Sequence, residues 1–575
     1  MQTIEENFSV SLSYNDKTVE LPFGKMSSFD ELYVDFNVEK QEKYLRIRLT
    51  IHPKESIILH DLALRKTKNY RIHERIFCNG FQSWSESKEY ELSERIPKLK
   101  PFLTSKFNLQ GDNNIKGISR TKGHFHSWTY SYIRSNEDFD FVGSLNENNA
   151  FTIIQHDTQN HLLSIQKDCE NLQLNHSFPI LDIVLIKGKE KQVFDQYFNL
   201  MNIEVPSKNK ITGWSSWYNY FDNISEEIVM QNVTAFADRK TSIDIIQIDD
   251  GYQKKVGDWQ SIKPSFQKGM GKISKKIKER GFKVGIWIAP FICEENSDLF
   301  KNRPNWIIKD AKGKPLKIGY NSVWKSWFYA LDFYNQEVQK HLTSVFFTIT
   351  EKWHFDLVKL DFLYAVCLNP PSNKTRGQVM SDAVSFLQNL LKRQMILACG
   401  VPLGSVFGKV DYCRVGPDVH MQWEDKKLKW LGHRERTSTF ASLQSTIGRW
   451  QLNNRAFNND PDVFILRDSN NKLSFNQKHT LLTINTLLGN ILFTSDGVHE
   501  YSEEQWSEFD SIFKWRNSEI NSVKNPRKNQ YLIHFKNDNL SWLALCNLGS
   551  KIEIFQLKKG QMILEPFETI ILKNN

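Results

Sequence analysis

The first 205 residues contain short runs in which apolar and polar side chains alternate. Residues 8–14, 44–50, 139–143 and 151–154 are such runs, and Asn, Asp, Gly and Lys residues separate them. A period of two residues places alternate side chains on opposite faces of a strand, which is the pattern of an antiparallel sheet. We therefore predict an amino-terminal β-sandwich domain over residues 1–205.

After Pro206 short apolar runs alternate with segments of helical period. The eight apolar runs are residues 211–218, 243–250, 283–290, 355–362, 395–400, 412–418, 461–467 and 490–496. The amphipathic segments between them are residues 225–239, 273–280, 336–353, 378–393, 437–450 and 475–488. The connection after Pro290 shows no clear helical pattern.

Eight strand and helix units over residues 206–500 match the size and order of a (β/α)8 barrel, the TIM barrel. An open doubly wound sheet is the structural alternative, but no Gly-x-Gly-x-x-Gly or Walker-type loop follows any run. A further helix near residues 503–515 leads into short strand patterns, so we predict a small antiparallel β domain over residues 501–575. The fold class is thus multidomain, with a central barrel between two β domains.

Composition and charge narrow the possible partners. The 575 residues are 40% hydrophobic and 25% charged, which is ordinary for a folded globular protein. The net charge of +9 suggests nucleic acid, but the lysines are spread along the chain, and the densest run, residues 272–280, has helical spacing. We therefore expect no nucleic-acid partner.

The expected location follows from the amino terminus and the cysteines. The first seven residues show no basic segment followed by an apolar run, and the chain contains no stretch of about 18 apolar residues. The seven cysteines are scattered and odd in number, which favours a reducing compartment over a disulfide framework. We expect a soluble cytoplasmic protein with no membrane partner; the pattern does not predict an oligomeric state.

The runs of the predicted barrel end in chemically active side chains. Side chains at the carboxyl ends of barrel strands face the active site. The residues found there are Trp217, Asp249, Asp250, Trp287, Lys359, Asp361, Cys399, Arg414 and Asp418. Acids, cations and tryptophans on one rim, without a metal-binding motif, indicate a sugar site and no cofactor.

Lys359 and Asp361 are the most informative pair. They are two residues apart on a strand, so both side chains point into the barrel. A cation beside a carboxylate favours the ionised form, which a nucleophile requires. The alternative is an ion pair that only fills the barrel interior.

The other candidates each have a structural alternative. Asp418 follows Gly-Pro and has the position of a turn residue or helix cap as well as that of a second carboxylate. Asp249 and Asp250 precede Gly251 and match either a sugar-binding pair or a turn. Trp217 and Trp287 suit the core as well as a sugar platform. The pair His124 and His126 has no third ligand nearby, and we expect it to be structural.

Seven motifs occur in order along the central segment. They are Gly213-Trp-Ser-Ser-Trp217, Gln247-Ile-Asp-Asp-Gly-Tyr252, Gly257-Asp-Trp259, Gly285-Ile-Trp-Ile-Ala-Pro290, Lys359-Leu-Asp361, Cys399-Gly-Val-Pro-Leu403 and Arg414-Val-Gly-Pro-Asp418. Together they resemble the α-galactosidases of glycoside hydrolase family 36, especially the shorter bacterial and thermophilic members. Asn459-Asp-Pro-Asp462 is similar to a segment of family 27.

The resemblance implies roles for individual residues. Asp361 corresponds to the nucleophile and Asp418 to the general acid/base, with Arg414 beside it. The sugar hydroxyls would be bound by Asp249, Asp250 and Lys359, with Trp287 as a stacking platform. The remaining pocket residues implied by the resemblance are Trp217, Cys399 near the sugar 2-position, and Trp84 from the amino-terminal domain.

One position departs from the family pattern. Many members carry Asn or Cys two residues after the nucleophile, whereas this chain has Leu363. Its parity matches that of Lys359 and Asp361, so we expect an apolar group to replace a polar one in the pocket. This leaves the identity of the sugar open.

The resulting expectation is a retaining, exo-acting glycosidase that releases terminal α-linked galactose from an oligosaccharide or glycoconjugate. One alternative is the same mechanism on another α-glycoside, such as an α-N-acetylgalactosaminide, or galactosyl transfer of the raffinose-synthase type. A non-catalytic sugar-binding protein is the alternative from another class, and it is expected to lack one of the two carboxylates, both of which this chain has.

Overall fold

The structure is a computed structural model that describes residues 8–574 except 100–120, 205, 206, 208, 240–242, 311, 558 and 559. The predicted boundary at residues 205 and 206 lies outside the described residues. The first seven residues, on which the signal-peptide expectation rests, also lie outside them.

The amino-terminal part forms two antiparallel sheets, and the four predicted alternating runs are all strands in them. One sheet contains Ser9–Tyr14, Lys17–Leu21, Ile57–Thr67, His124–Trp128, Thr152–Asp157, Leu162–Lys167 and Leu172–Leu174. The other contains Ser27–Ser28, Leu32–Lys40, Tyr44–Pro53, Arg75–Cys78, Lys88–Glu91, Tyr130–Ser135, Asp138–Ser144 and Phe178–Lys189. Apolar side chains of both sheets share one buried cluster, so the sheets pack face to face.

A parallel sheet forms the centre of the protein. Its strands are Ile211–Ser215, Ile245–Ile248, Lys283–Ile288, Leu357–Leu360, Met395–Ala398, Tyr412–Arg414, Asn458–Asp460, Val463–Phe464 and Ile491–Thr494. Several of them, such as Ile245–Ile248, are buried along their whole length. Burial on both faces explains why these segments are continuous apolar runs rather than alternating ones.

The seventh predicted run is wrong in its boundaries. Pairing begins at Asn458, before the predicted start at 461, and ends at Phe464. Two residues, Pro461 and Asp462, interrupt it. Proline has no N–H for a sheet ladder, and Asp462 has a left-handed φ of 77°.

The same interruption relates the two ends of the sheet. Asn458–Asp460 pairs with Tyr412–Arg414, and Val463–Phe464 pairs with Ile491–Thr494. These short strands are the first and last of the parallel sheet, yet only Pro461 and Asp462 lie between them in the chain. The two edges of the sheet are therefore close in space, so the sheet is strongly curved.

Helices connect most of the parallel strands, and the six predicted amphipathic segments are helical. The described helices are Glu190–Met201, Trp217–Tyr220, Glu226–Arg239, Met270–Glu279, Asp298–Asn302, Gln336–Phe347, Arg376–Leu390, Lys426–Leu431, Thr439–Gly448, Phe475–Leu488 and Glu503–Trp515. Capping boxes begin three of them, at Thr375, Ser474 and Ser502.

The connection after Pro290 contains a small antiparallel sheet before its helix. Its strands are Ile292–Glu294, Lys317–Asn321 and Ser326–Ala330. Residues 322–325 turn between the last two strands, and Lys325 has a positive φ of 52°. This β-hairpin explains the missing helical pattern, and its tip reaches the candidate site described below.

The carboxy-terminal part is also a β structure, as predicted. A four-stranded antiparallel sheet contains Glu519–Arg527, Gln530–Asn537, Leu540–Asn547 and Thr569–Lys573, and Glu553–Leu557 pairs with Gly560–Leu564. Within the described ranges, no helix is long and apolar enough to cross a bilayer. All seven cysteines are buried, and none of them forms a disulfide bond.

Candidate active site

A cavity of about 170 Å³ lies at the carboxyl ends of the parallel strands. Eight of the ten residues predicted for the site line it: Trp84, Trp217, Asp249, Asp250, Trp287, Lys359, Asp361 and Asp418. Seven of them lie at or just after the carboxyl ends of parallel strands, which face the same side, whereas Trp84 comes from the amino-terminal part of the chain. The cavity is smaller than the roughly 300–1,000 Å³ of pockets for drug-sized ligands, so it suits a single ring.

Asp361 is held by two donors. The indole N–H of Trp287 donates to Oδ2 and the backbone N–H of Phe362 donates to Oδ1, each at 2.9 Å. Burial raises the pKa of Asp361, and the positive charge of Lys359 and the Trp287 hydrogen bond oppose this rise. Both carboxylate oxygens are therefore oriented while the group remains in a dry environment.

Lys359 makes its direct ion pair with Asp249 rather than with Asp361. Its Nζ lies 2.9 Å from Asp249 Oδ2, and both side chains are buried. Gln247 also donates to Asp249 Oδ2, at 2.7 Å. Lys359 still favours the ionised form of Asp361, as the spacing of the two residues predicts, but it acts through space and not through a direct ion pair.

Asp250 accepts hydrogen bonds from two side chains. Trp324 Nε1 donates to its Oδ2 and Gln253 Nε2 to its Oδ1, each at 2.6 Å. Burial raises the pKa of Asp250 to about 6 in spite of these donors. Further hydrogen-bond donors, such as sugar hydroxyls, would stabilise the charged form of this buried carboxylate.

Asp418 is paired with a buried arginine. Arg414 Nη1 lies 2.8 Å from Asp418 Oδ1, its Nε lies 3.0 Å from Asp460 Oδ2, and its Nη2 lies 2.8 Å from Asp462 Oδ1. Burial raises the pKa of Asp462 to about 7, and the hydroxyl group of Tyr218 donates a hydrogen bond to that carboxylate. One guanidinium group thus holds three carboxylates, of which Asp418 is the one that lines the cavity.

Two predicted binding residues, Arg414 and Cys399, lie behind the cavity wall rather than on it. Cys399 Sγ accepts a hydrogen bond from Trp84 Nε1 at 3.1 Å. Burial raises the pKa of the Cys399 thiol well above its ordinary value. Arg414 and Cys399 therefore contact residues that line the cavity, namely Asp418 and Trp84.

Trp84 enters the cavity wall from the amino-terminal part of the chain. Its ring lies edge-on to Phe362, with centroids 4.9 Å apart. Gly400 allows this approach, because a Cβ there would lie 3.0 Å from the Trp84 ring and from the Phe362 nitrogen. The cavity is therefore shared between the central sheet and the amino-terminal part.

The prediction that Leu363 replaces a polar group in the pocket is wrong. The strand ends at Leu360, and Phe362 adopts a left-handed conformation with a φ of 52°. After this turn, side chains two residues apart no longer point to the same side. Leu363 is therefore buried away from the cavity, and Phe362 lines it. The apolar group near the candidate nucleophile is Phe362.

Sequence reasoning missed six lining residues: Tyr218, Asn321, Trp324, Phe362, Glu435 and Thr437. Tyr218 ends the first predicted run and Phe362 the fourth, so the strand-end rule applies to both. Asn321 and Trp324 lie at the hairpin tip, and Glu435 and Thr437 lie in the segment after Asp418. Their positions depend on loop conformations that periodicity does not report.

The described residues contain no group of three or more His, Cys, Asp or Glu side chains arranged to hold a metal ion. His124 lies 3.6 Å from Asp157, and His126 lies 3.4 Å from an Arg434 nitrogen. The histidine pair thus has separate protein partners. The chemistry available in the cavity is that of carboxylates, an ammonium group and aromatic faces.

Comparison with known sequences gives partial matches. The melibiase family model matches residues 207–390. The bifunctional α-galactosidase/sucrose kinase AgaSK of Mediterraneibacter gnavus is 28% identical over 158 residues, which are 26% of this chain and 16% of that protein. The α-galactosidase AgaA of Geobacillus stearothermophilus is 24% identical over 158 residues, 26% of this chain and 20% of that protein. The matched segment thus spans a fifth or less of the length of these curated relatives.

Comparison of structures extends the likeness to most of the chain. The α-galactosidase TtGalA of Thermus thermophilus, solved in complex with p-nitrophenyl α-D-galactopyranoside, aligns with a TM-score of 0.70 at 22% identity. The alignment covers 89% of this chain and 98% of TtGalA. TtGalA in complex with stachyose aligns with a TM-score of 0.68 at 24% identity, over 85% of this chain and 99% of TtGalA. The chain thus contains a segment that matches the melibiase family model, and its fold is similar to that of solved α-galactosidases, including members of glycoside hydrolase family 36.

Proposed function

We propose that this protein is a retaining, exo-acting glycosidase that releases terminal α-linked galactose. The observation that carries the proposal is that Asp361 and Asp418 line one cavity together with the hydroxyl-binding groups Asp249, Asp250 and Lys359. Retaining glycosidases use two carboxyl groups, one as nucleophile and one as acid/base. A non-catalytic sugar-binding protein has no need for this second carboxylate.

In the first step, Asp361 attacks the anomeric carbon while Asp418 protonates the leaving oxygen. A bond forms between an Asp361 oxygen and the anomeric carbon, and the glycosidic bond breaks with its electron pair going to the leaving group. The hydrogen bonds from Trp287 and the Phe362 N–H hold the nucleophile in one orientation. The product of this step is a covalent galactosyl-aspartate.

In the second step, Asp418 removes a proton from a water molecule that attacks the same carbon. The bond to Asp361 breaks, and the sugar leaves with its original α configuration because two inversions have occurred. Arg414, between Asp418 and the buried pair Asp460 and Asp462, keeps the acid/base in place through both steps. No cofactor enters this scheme.

The environment of the nucleophile supports its role. Burial raises the pKa of Asp361, so the carboxylate is poorly solvated and reactive once ionised. Lys359 and Trp287 provide the opposing stabilisation of its charged form. We therefore expect activity to fall at low pH, where Asp361 takes up a proton.

The cavity size supports an exo-acting enzyme. A volume of about 170 Å³ holds one ring, so the rest of an oligosaccharide or glycoconjugate would lie outside. TtGalA, which shares the fold, has been solved with stachyose and with an aryl α-galactoside. We propose α-galactosides of this kind as substrates.

The proposal includes the architecture that positions the site. We propose that Asn458–Asp460 and Val463–Phe464 are one interrupted strand that closes an eight-stranded (β/α)8 barrel. We propose domain boundaries as predicted, at 205/206 and 500/501, with β domains on both sides of the barrel. The face-to-face sheets before residue 190 and the antiparallel sheet after Ser518 support these limits.

We also propose a cytoplasmic location. The seven buried cysteines, none of which forms a disulfide bond, support it, because thiols persist in a reducing compartment. Fractionation of the native host tests this assignment.

A panel of aryl α-glycosides tests the proposed activity. We expect hydrolysis of the α-galactoside, and a loss of about 10⁴-fold or more in kcat for Asp361→Ala, in keeping with the loss of a covalent nucleophile. Asp356→Asn is the matched control, because Asp356 lies at the opposite end of the same strand, away from the cavity, and accepts a hydrogen bond from the Val284 N–H. Preference for the α-N-acetylgalactosaminide, or unchanged kcat in Asp361→Ala, would contradict the proposal.

A further inference from the structure

A buried arginine without a carboxylate partner lies beneath the candidate site. Arg449 follows the helix Thr439–Gly448 and has no exposed surface. Its side chain makes four hydrogen bonds, all to neutral oxygens, and no salt bridge to a described carboxylate. Burial lowers its pKa to about 10, so the charged form is present at neutral pH. Burying a charge without a counter-charge is costly, so a contribution to stability does not by itself explain this residue.

The hydrogen bonds of Arg449 join two separate parts of the chain. Its Nε donates to Asn79 Oδ1 at 2.9 Å, and its Nη2 donates to the Gln82 carbonyl at 3.2 Å. Its Nη1 donates both to the Ser83 carbonyl, at 2.7 Å, and to the Val415 carbonyl, at 2.9 Å. One nitrogen atom therefore connects the amino-terminal loop with the end of a strand of the central sheet.

Two of these carbonyls, those of Ser83 and Val415, are next to a residue of the site. Ser83 precedes Trp84, which forms one wall of the cavity. Val415 follows Arg414, which binds the carboxylate of Asp418. The guanidinium group thus contacts the backbone beside the Trp84 wall and the backbone beside the arginine that holds Asp418.

We propose that Arg449 is a positioning residue that sets the spacing between Trp84 and Asp418 across the sugar cavity. The planar guanidinium group suits this task because its five donors have a fixed geometry, whereas a lysine ammonium group is a single flexible point. Other contacts hold the same loop against the segment after Asp418, since Ser85 donates to Glu435 at 2.6 Å and Glu86 pairs with Arg436 at 2.8 Å. Arg449 differs from them because one guanidinium group contacts the backbone on both sides of the cavity, at Ser83 and at Val415.

The first test reports the loop position without requiring activity. Trp84 covers the Cys399 thiol, and all seven cysteines are buried. We expect Arg449→Met to increase the alkylation rate of Cys399 about tenfold or more, read by mass spectrometry of labelled peptides, while Cys169 and Cys546 stay protected. Arg455→Met is the matched control, because Arg455 pairs with Asp195 at 2.8 Å and does not line the cavity. Arg449→Gln replaces Arg449→Met if the latter does not fold.

The second test rests on the proposed function. Misplacement of Asp418 harms substrates whose leaving oxygen needs a proton, so we expect Arg449→Met to lose about 100-fold in kcat on an alkyl α-galactoside and much less on a dinitrophenyl α-galactoside. Arg449→Lys should recover part of the loss. Cys399 protection equal to wild type, equal exposure of all cysteines, or equal kcat losses on the two substrates would each overturn the inference. An inactive wild type refutes the proposed function instead, and the alkylation result still decides the role of Arg449.

Discussion

Lys359 lies 2.9 Å from Asp249 across the parallel sheet, although Asp361 is only two residues away on its own chain. Replacing Lys359 with Met leaves Asp249 as a buried carboxylate without its cation. Removing one partner of a buried pair costs about 3–5 kcal/mol, and we expect a loss of that size in the free energy of unfolding. Urea denaturation of the single variant measures it.

A double variant separates stability from function in this pair. Lys359→Met combined with Asp249→Asn removes both charges, so most of the lost stability should return while galactosidase activity stays low. Full stability in the single variant, or recovered activity in the double variant, would contradict the assignment of the pair as a sugar-binding unit.

Binding of galactose should depend on the protonation of Asp250. Burial raises the pKa of Asp250 to about 6, and hydroxyl donors from the sugar favour the ionised form. Affinity should therefore be constant above pH 6 and weaken by up to about tenfold per unit as the pH falls below it. Calorimetric titration from pH 4.5 to pH 7.5 measures this, with Asp361→Asn as the control that keeps the same dependence. A pH-independent Kd would show that Asp250 does not bind the sugar.

Trp324 should affect the pH dependence of galactose binding. Its indole N–H donates to Asp250 at 2.6 Å and lowers the carboxyl pKa, against the larger effect of burial. Trp324→Phe removes the donor, so the pH below which galactose binding weakens should move upward. A downward shift in the same titration would mean that the hydrogen bond favours the protonated form.

Gly400 should limit the position of Trp84. Its φ is 55°, and a Cβ there would lie 3.0 Å from the Trp84 ring. Gly400→Ala should cost about 1–2 kcal/mol from the left-handed backbone and, in addition, raise KM by displacing Trp84. Gly281→Ala is the matched control, since Gly281 has a φ of 92° with nothing within 4 Å. It should lose stability with KM unchanged; a raised KM in both variants, or in neither, would contradict the crowding argument.

Periodicity was enough to predict the central sheet and its candidate carboxylates. Asp249, Asp361 and Asp418 follow apolar runs, and the carboxyl ends of parallel strands meet on one side, so their proximity followed from the pattern. The predicted bounds of the seventh run are wrong because Pro461 and Asp462 divide the strand. The pattern of apolar residues does not show such an interruption.

Other parts of the site depend on conformations that a repeat of two or 3.6 residues does not encode. Trp324 reaches Asp250 through a hairpin tip in a segment without a clear pattern. Phe362, and not Leu363, lines the cavity, because the positive φ of Phe362 ends the alternation of side chains along the strand. The ion pair of Lys359 with Asp249 instead of Asp361 depends on how neighbouring strands pack.

The configuration of the first sugar released tests the central claim most directly. ¹H NMR of the wild-type reaction, recorded before mutarotation, should show α-galactose first, because Asp361 and Asp418 act through two inversions. In Asp361→Ala with added azide, the same method should show β-galactosyl azide, since azide then takes the place of the carboxylate. β-Galactose as the first product of the wild-type protein would contradict a covalent role for Asp361.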